Sequence, residues 1–199
     1  MEPQEPPDRE LSHGELVDLP DRKLRVVWTP GHSPGHICLH LEDSGRLFTG
    51  DHLLPRITPH VGLHPFDGTG RDPLGCFLDS LAQIPELGAT EALPAHEHRF
   101  TDLEARADEI IAHHEERLDQ LSGVLTTEPA TLWELATALT WRKAWADMHT
   151  FARRIALSET AAHLRLLERR GRAVRGSRRE TDANTTLLWT SAAETVAAR

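Results

Sequence analysis

The chain has 199 residues, a formal net charge of −9 and 39% hydrophobic residues, which is typical of a globular protein with one domain and a small appendage. No apolar run approaches the roughly 20 residues of a membrane helix, so we expect no membrane partner. The first twenty residues are acidic and proline-rich, unlike a secretion signal, and predict a flexible segment on a cytoplasmic protein. Cys38 and Cys76 form no CxxC pair and are expected to be small buried residues.

Three short strands are predicted in the first quarter of the chain. Each is an apolar or β-branched run bounded by turn residues, namely Leu24–Trp28, Ile37–Leu41 and Arg46–Thr49. Residues 42–45 have the composition of a hairpin turn, so the second and third strands should pair.

A long loop and a helix follow these strands. Residues 53–71 contain three prolines and three glycines and show no helical period, which predicts a loop. Asp72 and Pro73 are a typical helix start, and the helix should end at Pro85.

A further strand and a long helix complete this part of the chain. Thr90–Leu93 is a short strand candidate. Thr101 and Glu104 have the spacing of a capping box, and the apolar residues that follow predict a long amphipathic helix up to about Gly123.

The last third of the chain changes from strands and loops to helices. Thr131–Glu134 is a second capping box, Ser158–Arg170 predicts a helix, and Arg172–Thr190 predicts two strands around an arginine-rich turn. This order is typical of a winged helix. The predicted organisation is a flexible segment, a first domain, a winged-helix-like domain and a frayed tail, over residues 1–20, 21–123, 124–190 and 191–199.

Three candidate metal ligands each follow a predicted strand: His32, Asp51 and His96. Neighbouring strands would bring these residues to one edge of a sheet. Imidazole and carboxylate groups suit zinc, manganese or ferrous iron, and one carboxylate can bridge two cations. The remaining histidines lack a motif and are expected at the surface, around the site or in the core, among them His36, His40, His60, His64, His113, His114 and His163.

The segments TPGHSPGH (29–36), FTGD (48–51) and LPAH (93–96) resemble the later motifs of the metallo-β-lactamase superfamily, in particular its glyoxalase II-like hydrolases and its members with a winged helix. The resemblance implies an α/β (α+β) fold, the C-terminal half of an αββα sandwich followed by a winged helix. It also implies that His32 completes one metal site, that Asp51 bridges two metals and that His96 serves the second site.

The superfamily's leading motif, His-x-His-x-Asp-His, is not found in these 199 residues. We therefore expect the C-terminal, truncated part of a family member, with weak or partial zinc occupancy and little turnover. Strands that should pair with the absent half of the sandwich would have exposed apolar edges, which predicts self-association through an incomplete sheet.

Two classes of function are compatible with these features. The first is a metal-dependent hydrolase that uses a metal-activated water on a small ester or thioester. The alternative is a nucleic-acid-binding (RNase-like) or non-catalytic interaction protein that uses the winged helix. Phosphate contacts could come from a basic cluster, although a solvated helix end and a charged turn are the favoured explanation of it: Arg165, Arg169, Arg170, Arg172, Arg175, Arg178 and Arg179.

Overall fold

The computed structural model describes residues 8–63, 70–176, 179–181 and 184–192. Within these residues the strands are β1 Leu16–Leu19, β2 Arg22–Trp28, β3 Ile37–Leu41, β4 Arg46–Gly50, β5 Glu91–Pro94, β6 Ala130–Thr131, β7 Ala173–Arg175, β8 Arg179–Thr181, β9 Asn184–Thr186 and β10 Leu188–Ser191. The α-helices are α1 Pro73–Ala82, α2 Leu103–Val124, α3 Leu132–Ala138 and α4 Thr150–Arg169.

A five-stranded sheet in the order β1-β2-β3-β4-β5 forms the centre of the first part of the chain. Strands β1 to β4 are antiparallel neighbours, whereas β4 and β5 run parallel. The residues of one sheet face join the hydrophobic core with α1 and α2, among them Val27, Cys38, Leu47 and Ala92. The strands predicted at Leu24–Trp28 and Arg46–Thr49 are present as β2 and β4.

The opposite sheet face keeps large apolar side chains in contact with solvent. Phe48 pairs with Leu39, and Trp28 pairs with Ile37, so these four side chains share one face. Trp28 is 52% exposed and Phe48 is 41% exposed. An exposed apolar face of this kind favours self-association.

The expectation of a flexible segment through residue 20 is wrong for Leu16–Leu19, which form β1. This strand pairs antiparallel with β2, with Leu16 opposite Arg25. Asp21 takes a left-handed conformation (φ 56°) in the turn between the two strands. The exposed edge of β2 supplies the backbone partners that so short a strand cannot provide alone.

Two of the four predicted helix starts agree with the structure. Asp72 caps α1 by accepting a hydrogen bond from the backbone amide of Gly75 at 2.9 Å, and Thr131 caps α3 through a capping box with Glu134. The capping box predicted at Thr101 is wrong. Asp102 occupies the cap position of α2 with φ 58° and no side-chain hydrogen bond, because its left-handed backbone turns the chain into the helix.

The C-terminal part packs on the first part through one continuous hydrophobic core. Helix α4 begins at Thr150, eight residues before the predicted start, where His149 caps it by accepting from the amide of Ala152. Strands β6, β10 and β7 form a three-stranded sheet, and β8 pairs with β9. The division at residue 123 and the winged-helix interpretation stay predictions. The predicted tail overlaps β10 at Ser191, and residues 193–199 lie outside the described residues.

The two cysteines differ in their surroundings. Cys38 is fully buried, and burial raises the pKa of its thiol to about 12. Cys76 is exposed, contrary to expectation, because it lies on the outward side of α1 while Leu74, Phe77 and Leu78 point into the core. Among the described helices, none combines the length and apolar character needed to span a membrane.

Candidate metal centre

The three candidate ligands lie at one edge of the five-stranded sheet. Asp51 directly follows β4, and His96 lies two residues beyond the end of β5, which runs parallel to β4. Strand β2 runs in the same direction as β4, because β3 is antiparallel to both, so the turn that contains His32 reaches the same edge. The predicted meeting of strand ends is thus present.

Asp51 lies between the two histidines. Its Oδ2 atom is 3.7 Å from Nε2 of His32, and its Oδ1 atom is 3.2 Å from Nε2 of His96. Oδ1 is buried and makes no hydrogen bond with any described residue. A buried carboxylate oxygen without a donor is a position that a cation can satisfy.

The orientation of His32 is suited to metal binding. Its Nδ1 atom lies 2.9 Å from the backbone carbonyl of His60, which can only accept a hydrogen bond. Nδ1 therefore carries the proton in the neutral ring, and Nε2 presents its lone pair toward Asp51. A backbone carbonyl on the remote ring nitrogen is a common way to fix a metal-binding histidine.

A second histidine holds the backbone of Asp51. The amide of Asp51 donates to Nε2 of His36 at 3.2 Å, and Nδ1 of His36 donates to Oγ1 of Thr29 at 2.8 Å. Nε2 can accept the bond from Asp51 only in the neutral ring, which then carries its proton on Nδ1. Burial, followed by the neighbouring charge of His32, lowers the pKa of His36 and favours that form.

Gly50 makes this contact possible. Its φ is +51°, and a Cβ atom at this position would lie 2.7 Å from Nε2 of His36. Only glycine combines this backbone conformation with so close an approach.

His52 is packed rather than available as a ligand. It is fully buried in edge-to-face contact with Phe77, and its ring nitrogens have no hydrogen-bond partner among the described residues. Burial lowers its pKa to about 3, so the ring is neutral. Its backbone amide donates to the carbonyl of Thr49 at 2.9 Å and closes the turn that positions Asp51.

The donor set fits part of a metal site. Asp51 and His32 provide two ligands on one side, and Asp51 and His96 provide two on the other. In the described part of the chain, no group of three or more histidine, cysteine or carboxylate side chains has the geometry to hold a metal ion. A full site needs three or four protein ligands for zinc, so further donors would have to complete this set.

The sequence predicted the candidate ligands that follow the strands and missed the residues that position these ligands. It predicted that His32, Asp51 and His96 lie close together, and their roles as ligands stay predictions. It gave no specific role to His36 and His60. The repeated Pro-Gly-His in PGHSPGH, followed by Gly50, was the available signal for His36. His60 contributes its backbone, for which the sequence gives no signal; His64 lies outside the described residues.

Five arginines of the C-terminal cluster have carboxylate partners, and Arg178 lies outside the described residues. Arg170 binds Glu115 with both terminal nitrogens at 2.8 Å. Arg175 binds Glu168 at 2.9 Å, with further pairs formed by Arg165, Arg169 and Arg172. These pairs neutralise much of the positive charge that phosphate contacts would use.

A sheet with helices on one face, and a rim of two histidines and an aspartate, defines an α/β protein with a candidate metal site. The profile of the Metallo-beta-lactamase superfamily matches residues 1–119, and the chain belongs to this superfamily. Lactamase-like protein nscB of Arthroderma gypseum is 35% identical to it over 118 residues.

Two solved structures cover almost all of the chain. A metallo-beta-lactamase family protein from Thermus thermophilus is 36% identical over 95% of this chain, with a TM-score of 0.75. A beta-lactamase domain protein from Burkholderia ambifaria is 30% identical over 94%, with a TM-score of 0.81. This chain spans 55% and 53% of those two chains. The match to the Arthroderma protein covers 59% of this chain and 34% of that protein.

Proposed function

We propose that this chain supplies the Asp51-centred part of a metal-dependent hydrolase site that acts on a small ester or thioester. One observation carries the proposal: the carboxylate of Asp51 lies between Nε2 of His32 and Nε2 of His96, and its buried Oδ1 lacks a hydrogen-bond donor. Superfamily membership supports the same class of chemistry.

Each of the three side chains has a role in this proposal. His32 and His96 would each hold one metal through Nε2, and Asp51 would contact both. Bound zinc, or manganese or iron in its place, polarises the substrate carbonyl and lowers the pKa of a water. In the net reaction the water oxygen bonds to the acyl carbon, the C–S or C–O bond breaks, and the thiol or alcohol leaves with a proton from water.

Metal occupancy in this chain is proposed to be weak or partial. Two ligands on each side of Asp51 are fewer than zinc normally uses, and these 199 residues contain no His-x-His-x-Asp-His motif. Turnover should therefore be slow. The proposal includes a cytoplasmic location and a winged-helix-like C-terminal part.

The test is hydrolysis of S-phenyl thioacetate, a neutral thioester, by the zinc-loaded chain, compared with Asp51→Asn. We expect slow hydrolysis that a chelator abolishes and that Asp51→Asn reduces by about tenfold or more. Asp79→Asn is the matched control, because Asp79 is an exposed aspartate on α1, away from the rim. Equal rates for the wild type and Asp51→Asn at saturating zinc would overturn the proposal.

RNA binding by the C-terminal part stays a prediction. It can be checked by titrating a labelled RNA at low salt against the wild type and a variant with Arg175, Arg178 and Arg179 changed to alanine. Salt-dependent binding that weakens in the variant would support it. No binding at low salt would exclude it.

A further inference from the structure

The N-terminal half of α4 borders a cavity of about 470 Å³. This volume lies within the range of small-molecule sites, roughly 300–1,000 Å³. Six apolar side chains line it: Leu63, Leu132, Phe151, Ile155, Leu157 and Ala161. The transfer of an apolar ligand body from water into such a cavity is favourable.

The cavity shares a wall with the metal centre. Ser158 lines it and forms a hydrogen bond of 3.1 Å with Nε2 of His60, whose carbonyl accepts from Nδ1 of His32. The amide of Leu63 donates to the carbonyl of Ser158 at 2.9 Å. The backbone of residues 60–63 thus lies between the cavity and His32.

One cation lies at the cavity without a partner. Arg154 is exposed, lines the cavity and makes no hydrogen bond or ion pair with any residue that the structure describes. A second cavity of about 440 Å³ also borders Phe151 and Ile155 and is lined by the acidic residue Glu159 instead. A negative ligand group is therefore favoured beside Arg154 and disfavoured in the second cavity.

We propose that this cavity binds the apolar body of the substrate, and that Arg154 binds a negative group on the substrate away from the reacting carbonyl. The inference rests on the proposed hydrolase function and narrows its substrate class to anionic acyl esters or thioesters with an apolar body. Arg154 is a specificity-determining residue in this account, because it recognises the ligand and takes no part in bond breaking.

Calorimetric titration of the metal-free full chain with octanoate and with octanol tests the charge. We expect octanoate to bind more tightly than octanol, and Arg154→Gln to weaken octanoate binding by about five- to tenfold while changing octanol binding by less than about twofold. Arg56→Gln is the matched control, since Arg56 is exposed and lines neither cavity. Unchanged octanoate binding in Arg154→Gln would overturn the inference.

Filling the cavity tests the site itself. Ala161→Trp should abolish binding of both ligands, and Ala161→Met, a smaller change on the same helix face, should weaken both; thermal unfolding identifies a variant that fails to fold. A folded Ala161 variant that binds both ligands like the wild type would refute the site. The binding experiment contains no metal, so it is independent of hydrolysis. Absence of octanoate binding in a chain that retains Asp51-dependent hydrolysis would refute this inference alone. Octanoate binding in a chain without Asp51-dependent hydrolysis would refute only the hydrolase proposal.

Discussion

The backbone amide of Asp51 donates a hydrogen bond to Nε2 of His36 at 3.2 Å, so a histidine outside the ligand set fixes the central carboxylate. Removing such a support typically costs about 10- to 100-fold in metal affinity. We expect His36→Ala to weaken Co²⁺ binding by about tenfold, measured from the cobalt absorption spectrum. His98→Ala, at an exposed histidine near the same rim, should bind cobalt like the wild type. Equal affinities for His36→Ala and His98→Ala would show that His36 does not support the site.

Gly31 packs its backbone directly on α1. Its φ is +147°, and a Cβ atom there would lie 2.7 Å from Cα of Phe77. Gly31→Ala should lower the free energy of unfolding by on the order of 2 kcal/mol or more, measured by urea denaturation. Gly35→Ala is the control in the same loop, because nothing lies within 4 Å of its Cβ position. A similar small effect of both changes would contradict the packing described.

Much of the sheet and its helices could be predicted, because the apolar period and the turn residues act locally. Strands β2 to β5 and helix α1 lie within a few residues of their predicted bounds. Strand β1 could not be predicted, since Leu16–Leu19 depend on the edge of β2. The early start of α4 at Thr150 was missed because its first turns leave Phe151 exposed and show no apolar face in the sequence.

The candidate site could likewise be predicted only in part. Asp51 and His96 follow recognisable strands, so their approach could be predicted. The hydrogen bond that the amide of Asp51 donates to His36 depends on the left-handed turn at Gly50, and His60 orients His32 through its backbone carbonyl. Such backbone contacts leave almost no trace in residue types.

A buried pair of histidines joins α2 to α4. Nδ1 of His163 donates to the carbonyl of Glu159, so Nε2 of His163 accepts from Nδ1 of His114 at 3.2 Å. Burial is the largest cause that lowers the pKa of His114 to about 3 and that of His163 to about 4, and nearby positive charge, including Arg117, contributes to both values. The folded protein therefore holds both rings neutral.

This pair predicts acid-sensitive stability. Both folded pKa values lie below the ordinary value of 6.5, so the unfolded chain binds more protons, and stability falls as the pH drops from 6.5 toward 4. Between pH 7 and pH 5 the loss should be on the order of 1–2 kcal/mol per histidine. Urea denaturation at several pH values measures it.

The variant His114→Gln should show a smaller loss of stability between pH 7 and pH 5 than the wild type, because one titrating group is gone. His98→Gln, at an exposed position, should keep the wild-type pH dependence. Identical pH dependence for all three proteins would contradict the role given to His114.

The exposed sheet face predicts self-association. Trp28 and Phe48 lie on this face and are 52% and 41% exposed. We expect light scattering to show a species larger than a monomer, and Trp28→Glu with Phe48→Glu to shift it toward the monomer. Trp133→Glu is the control, since Trp133 is 49% exposed but lies on α3. A clean wild-type monomer would refute the prediction.

The central claim is that the carboxylate of Asp51 is the shared metal ligand, and Zn²⁺ titration of the wild type against Asp51→Asn tests it most directly. We predict that the wild type binds zinc weakly and that the zinc affinity of Asp51→Asn is lower by about tenfold or more. Asp79→Asn should bind zinc like the wild type. Zinc binding of the same affinity in the wild type and Asp51→Asn would contradict the account.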